Sequence, residues 1–455
     1  MPPMRVNSAA AVCNGCAWLV GGKGVGQSNE AWRLPLNDNN LIWECLDSVG
    51  KPPPGRDSHT VTYIGGDKLL LFGGQGVHND NDHTLRQTKT QTYKVFQSRE
   101  LFNDTHIFDC VKLNWQRVIC KSQVPFSRRG HTATWVPPFH SERIVRPSPP
   151  HPLIPDGSLV LYGGSGMDTF TGIEVAFNDM WIYYPDREWW EMIQTRGTPP
   201  IPTFLHSATL QGDFLTIVGG LADASPPTTI PTQGKDKKIV QITSYQKPPS
   251  GVMLFNIRTL SWSHLELTNP VTNTTVGAFY YGLTAVSDPN NAESLFIFGG
   301  RDTGEAVQES KAGGRKQPVL KRRGVVTGAK PHVWLIDIKK CTMTAIVTIK
   351  NCPENRYGHI CVSVLPSDYR SQFYDRGKRN LGFNGGGTNA TMMYLYGGCK
   401  IDKGGYAVPH IHHLVKSVTY VDDMSNALFE DGKDKEVDPL AQIAAKGFMN
   451  LAGIP

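Results

Sequence analysis

The 455-residue sequence predicts an all-β fold of six tandem units, each made of four short strands. Three observations carry this. Six apolar runs each end in Gly-Gly, and an Arg-x-x-His-like segment precedes them while a tryptophan segment follows most of them. Glycine (46) and proline (32) punctuate the chain as many turns require.

The six runs are 17–22, 69–74, 159–164, 215–220, 295–300 and 394–398. Short apolar runs rich in β-branched and aromatic residues read as strands buried on both faces. The terminal glycines allow positive φ where backbones crowd. Ahead of each run lies a first strand, opened by Arg56 to His59, Arg128 to His131 and Arg356 to His359. Weaker copies are Arg5 to Ser8, Thr203 to His206 and Tyr280 to Leu283. Third strands follow at 103–109, 178–184, 252–257 and 333–338. Fourth strands carry Trp43, Trp115, Trp189 or Trp190, and Trp262. Spacings between doublets of 52, 90, 56, 80 and 98 residues require insertions inside the units.

Over residues 3 to 424 this pattern resembles the kelch repeat family, whose units are propeller blades with a Gly-Gly doublet and a late tryptophan. The resemblance implies a six-bladed kelch-type β-propeller, the architecture of the galactose oxidase-like central domain. Blades are expected near 3–50, 51–120, 121–195, 196–268, 269–348 and 349–424, within a domain of 1–424. The fifth has Cys341 to Val347 in place of the tryptophan segment, and the sixth shows no fourth strand. Residues that recur once per blade are structural. The tryptophans are expected between blades, and the Arg and His on buried backbone groups.

In an antiparallel blade the 75–102, 221–250, 301–330 and 399–416 insertions emerge on one face, and 137–157 and 366–390 on the other. Loops on a rigid scaffold carry function. Within 303–330 seven basic residues face two acidic ones, a net of +5 in a chain of net +6. Arg301, Lys311, Arg315, Lys316, Lys321, Arg322, Arg323 and Lys330 are therefore the candidate partner-binding residues, suited to an acidic protein surface. Nucleic acid is the alternative, disfavoured because no aromatic interleaves the cations.

Nine cysteines at irregular spacing give no disulfide framework. Cys13 and Cys16 form a lone CxxC, read as buried thiols or as a redox pair or half a metal site. His410, His412 and His413 cluster after Cys399, where a metal site would need a fourth ligand and a fixed geometry, and the segment reads as a loop entering a strand. Residues 425–455 are acidic and then carry a helical stripe from Asp438 to Leu451.

Copper radical oxidases resemble this architecture but need a Tyr, Cys and His constellation plus a second Tyr, and no secretory signal accompanies it here. The sequence lacks sialidase boxes, the clustered Glu, Asp and His of an iron-binding specifier, a P-loop, a nucleophile elbow and a HExxH helix. A non-catalytic interaction scaffold without cofactor is expected, a subunit of a larger assembly. A kelch-like metal-dependent oxidase or lyase-type enzyme is the rival. With no signal peptide and no apolar run of about 18 residues, a cytoplasmic protein with no membrane association is expected, with cytoskeletal or nuclear association as further options. The first blade opens near residue 5, so no BTB-like, BACK-like or F-box-like segment is expected before it.

Overall fold

The computed structural model describes residues 2–77 (without 25, 37–41 and 48), 99–137, 154–223 (without 169–173), 228–231, 239–242 and 245–246. It also describes 250–301 (without 271, 277–278, 280 and 289–290), 307–312, 315–320, 333–346, 356–364, 390–400 and 410–415. Among them every regular element is a strand, and no helix is long and apolar enough to cross a membrane.

Each Gly-Gly run is the second strand of one principal antiparallel sheet. Sheet 1 orders Ala9–Cys13, Cys16–Val20, Ala31–Pro35 and Glu44–Leu46. Sheet 2 orders Thr60–Tyr63, Lys68–Phe72, Thr105–Asp109 and Asn114–Val118, with Val49–Gly50 added in parallel on its outer edge. Sheet 3 comprises Thr132–Val136, Ser158–Tyr162, Met180–Tyr184 and Trp189–Met192. Sheet 4 comprises Ser207–Gln211, Phe214–Val218, Val252–Asn256 and Ser261–Leu265. Sheet 5 is built on Tyr281–Asp288, Asn291–Arg301, Val333–Asp337 and Thr342–Ile346. In sheet 6 three strands are described: Arg356–Val364, Ala390–Lys400 and His410–Val415. The 425–455 tail lies outside the described residues, as do residues 138–153 and 365–389.

The third position of the Arg-x-x-His segment links one sheet to the next. Asn7, Ser58, Gly130, Leu205, Gly282 and Gly358 all have φ between 53° and 65°. In this turned-back conformation the amide of Ser58 donates to Asn7 O at 2.8 Å, Gly130 to Ser58 O at 2.8 Å, Leu205 to Gly130 O at 2.7 Å and Gly282 to Leu205 O at 2.9 Å. Asn7 in turn donates to Gly358 O at 2.8 Å, joining sheet 1 to sheet 6.

Apolar side chains fill the gaps between sheets. Phe72 of sheet 2 packs on Trp190 of sheet 3 (ring centroids 4.9 Å), Tyr162 of sheet 3 on Trp262 of sheet 4 (5.1 Å), and Tyr396 of sheet 6 on Trp43 of sheet 1 (5.6 Å). The tryptophans therefore bind neighbouring sheets together, as expected. Of the two candidates in sheet 3, Trp190 is buried and Trp189 exposed. Alternation in the strand allows only one of two adjacent residues to face inward.

Candidate functional site: the rim of the opening between the first strands

The repeated residues are committed to the frame. Arg56 Nη1 donates to Gly73 O at 2.9 Å, and its two Nη atoms grip Asp104 at 2.6 and 2.8 Å. Arg128 repeats this on Gly163 O (2.9 Å) and Asp179 (2.7 Å to each oxygen). Arg5 uses Gly21 O (3.0 Å) and Glu30 (2.8 Å). Burial alone would raise the Asp104 carboxyl, but the bonds from Arg56 and His106 hold it well below the carboxylate range. A bidentate guanidinium suits this bridge because one rigid fork serves both a carbonyl and a carboxylate.

The histidines depart from the expectation. Their Nε2 atoms meet side-chain hydroxyls of the preceding sheet: His131 with Thr60 (3.1 Å), His206 with Thr132 (3.0 Å), His359 with Thr284 (3.0 Å). His59 faces the first sheet, where the equivalent residue is Ala9 and no hydroxyl is offered. Thr60, Thr132, Thr284, His59 and His359 line a cavity of about 230 Å³ that the first strands of all six sheets border.

The positions between the fixed ones are free to differ, and they form the rim of that opening. The residue after each motif arginine or its equivalent pairs with the residue after each Gly-Gly doublet. The pairs are Val6 with Lys23, Asp57 with Gln75, Arg129 with Ser165, Phe204 with Leu221, Tyr281 with Arg301, and Tyr357 with Cys399.

Sheets 2 and 3 contribute a rim that satisfies itself. Asp57 accepts from Gln75 (2.9 Å), Ser58 (2.8 Å) and Gln27 (3.2 Å), while Arg129 is paired with Glu174 (2.6 Å). The sector from sheets 5, 6 and 1 differs. Arg301 donates to the Tyr357 hydroxyl at 2.9 Å and stacks over that ring at 4.9 Å, with Tyr281 6.1 Å from it edge-on. Arg301, Tyr281, Tyr357 and Lys23 are all half-buried, and no acidic residue occurs in these three pairs. Among the described residues no carboxylate pairs with Arg301. Burial, then the bond shared with Cys399, raise the Tyr357 hydroxyl, so it remains a neutral donor and acceptor at neutral pH. Positive charge beside neutral aromatic hydroxyls suits a carboxylate or another anionic group.

Of the sequence candidates, Arg301 is placed on this rim. Lys311, Arg315 and Lys316 lie in a hairpin, Val307–Ala312 with Arg315–Leu320, in which Lys311 pairs with Lys316. Lys321, Arg322, Arg323 and Lys330 lie outside the described residues. Tyr281, Tyr357 and Lys23 escape sequence reasoning that weighs charge runs alone. Their signal is internal: at the second motif position the six units carry Val6, Asp57, Arg129, Phe204, Tyr281 and Tyr357, while the first and fourth positions mostly repeat. Among the described residues no group of three or more His, Cys, Asp or Glu is arranged to hold a metal ion.

Residues 2–138 match the KLHDC2/KLHL20/DRC7 Kelch-repeats domain. The chain is 24% identical over 233 residues to Kelch domain-containing protein 2 of Bos taurus, covering 50% of this chain and 51% of that one. Acyl-CoA-binding domain-containing protein 5 of Arabidopsis thaliana is 25% identical over 266 residues, covering 57% of this chain and 29% of that one. Host cell factor 1 of Homo sapiens is 24% identical over 302 residues, covering 64% and 12%. The chain thus spans from about an eighth to about half the length of these relatives. The Gly-Gly strands, the arginine bridges and the inter-sheet tryptophans accompany this match, and the chain is similar to kelch-repeat proteins, with a kelch-repeat domain matched over residues 2–138.

Proposed function

We propose that the chain is a non-catalytic interaction scaffold, a subunit of a larger assembly, that docks protein partners on the face carrying the rim and the loops between second and third strands. In this reading residues 1–424 form one propeller of six blades. Its support is the run of five inter-sheet amide bonds and the Trp43–Tyr396 contact between the first and last sheets. The observation that carries the docking reading is the Arg301–Tyr357 pair. It is a cation held half-buried at the mouth of the opening between the first strands, with no carboxylate partner among the described residues. Directly after it come Lys311, Arg315, Lys316, Lys321, Arg322, Arg323 and Lys330, which extend the positive sector and select partners with acidic surfaces. None of the relatives named above carries a catalytic activity in its name.

The two faces carry different lysines, which makes the test direct. Lys23 follows a Gly-Gly doublet on the proposed docking face, whereas Lys112, Lys339 and Lys340 sit in turns between third and fourth strands on the other face. Affinity purification followed by lysine cross-linking and mass spectrometry should join partners to Lys23 and to the lysines of 301–330. Cross-links confined to Lys112, Lys339 and Lys340 would place docking on the wrong face and overturn the reading.

A further inference from the structure

The CxxC of the first unit is only part of a thiol group that the fold completes. Cys13 and Cys16 close the Asn14-Gly15 turn and pair directly across it, so both side chains leave the same face of sheet 1. That face packs on sheet 2, and Cys110, in the turn after Thr105–Asp109, enters the same apolar cluster. Cys13 and Cys110 are buried among Trp18, Leu69, Phe108 and Trp115, while Cys16 is only half-buried at the cluster margin. Cys13 comes from sheet 1 and Cys110 from sheet 2, so the cluster brings the two buried thiols together across the interface between the sheets. All three are free thiols.

We propose that these residues form a peroxide-responsive thiol relay, in which Cys16 receives the oxidation and a Cys13–Cys110 disulfide between sheets 1 and 2 is the product. The Cys16 thiolate attacks hydrogen peroxide, the O–O bond breaks, and Cys16 sulfenic acid and hydroxide result. The Cys13 sulfur then attacks the sulfenic sulfur. The S–O bond breaks, and the leaving hydroxide takes the Cys13 proton as water. Directly opposed strand residues lie about 4.5–5.5 Å apart at Cα, inside the range of about 4.4–6.8 Å that a disulfide spans. Cys110 next attacks Cys13 and displaces Cys16, which recovers the proton as a thiol. The net change is two thiols and one peroxide to one disulfide and two waters. Burial, opposed by Arg33, raises the Cys16 thiol, and the neighbouring Cys13 thiol followed by burial raises Cys110. The cluster therefore stays reduced until a strong oxidant reaches its open end. It lies at the first-to-second and third-to-fourth strand turns, on the face opposite the rim.

The test uses the full chain, treated with hydrogen peroxide, blocked with N-ethylmaleimide and cleaved after Lys and Arg without reduction. Mass spectrometry should find peptide 6–23 joined to peptide 100–112. Cys16→Ser, at a half-buried position, should slow that cross-link about tenfold or more, because the remaining thiols are shielded from solvent. Cys110→Ser should stop the relay at a Cys13–Cys16 disulfide within peptide 6–23. Recovery of all three cysteines as maleimide adducts would overturn the proposal. So would an undiminished cross-linking rate in Cys16→Ser, or an absent internal disulfide in Cys110→Ser.

Discussion

The amide of Asn7 donates to the carbonyl of Gly358 at 2.8 Å, so the first and last sheets meet through the same backbone bond that links sheets 1 to 5 in succession. The bond needs a left-handed residue at both ends, and Gly358 holds φ at 63°. A Cβ there would sit 2.5 Å from Asn7 Oδ1. Gly358→Ala is therefore expected to destabilise by about 1–3 kcal/mol, combining left-handed strain with that clash. Urea unfolding measures it. A loss under about 0.5 kcal/mol would show that this junction does not bear on stability.

The Thr–His pairs give a second expectation. Thr132→Val keeps the shape but removes the partner of His206 Nε2, and should lower stability by about 1–3 kcal/mol because a buried donor or acceptor is left unmet. At the other end of the series, Ala9→Ser offers His59 the hydroxyl that its counterparts have, next to a cavity with room for it. It should raise stability by about 0.5–1.5 kcal/mol. Opposite signs for the two variants are the diagnostic result. A destabilised Ala9→Ser would mean that the serine hydroxyl does not reach His59.

These relationships show where the sequence was legible and where it was not. Repetition exposed the strands, the doublets and the arginines, because each unit solves the same packing problem with the same residue. The histidine partners were hidden, since Thr60 and Thr132 belong to one unit while the histidines they meet belong to the next, 71 and 74 residues on. Long-range pairing leaves no local signature. Cys110 escaped for the same reason: its neighbour in the fold is Cys13, in another unit. Arg301 stands out by its charge, but Tyr357 carries none and sits unmarked between Arg356 and His359.

Acid should unfold the protein through its buried histidines. Burial pushes His59, His206 and His359 down to about 3, with the positive charge of Arg56 adding to the effect at His59 and that of Arg356 at His359. In the native state these rings are neutral, whereas in the unfolded chain each takes a proton near pH 6.5. The unfolded state thus binds more protons between about pH 6.5 and 3, and stability falls as pH drops through that window. At pH 5 each of the three should have cost about 2 kcal/mol, together a large share of typical domain stability. Stability measured by urea at pH 7, 6 and 5 should fall progressively. A curve flat from pH 7 to 5 would show that these rings protonate in place.

Phe72 and Tyr162 test the frame between sheets. Both are fully buried, and each packs on the tryptophan of the next sheet. Phe72→Ala should destabilise by about 3–5 kcal/mol, from lost burial plus the cavity left against Trp190. Tyr162→Ala should lose a similar amount. Melting temperatures that barely move would mean that neighbouring sheets do not depend on these contacts.

The basic segment decides between a working loop and a merely solvated one. Arg322 and Arg323 are the stronger contributors expected within 301–330, because a guanidinium holds a carboxylate or phosphate through two bonds where a lysine offers a point charge. Replacing Lys321, Arg322 and Arg323 together by serine removes three of the seven cations of 303–330. Exposed charges are screened over about 8 Å at physiological salt, so a loop that attracts an acidic partner should do so most at low ionic strength. The triple variant is therefore expected to bind native partners less well at low salt and to show a shallower salt dependence than the wild-type chain. Stability should change little, because the substitutions fall in the insertion that the sequence places between the second and third strands of the fifth unit. Arg301→Ala should weaken the same partners further, since it removes the one cation already held at the rim by Tyr357. Binding that is unchanged for both variants, at low salt and at high, would leave the positive sector without a role in docking.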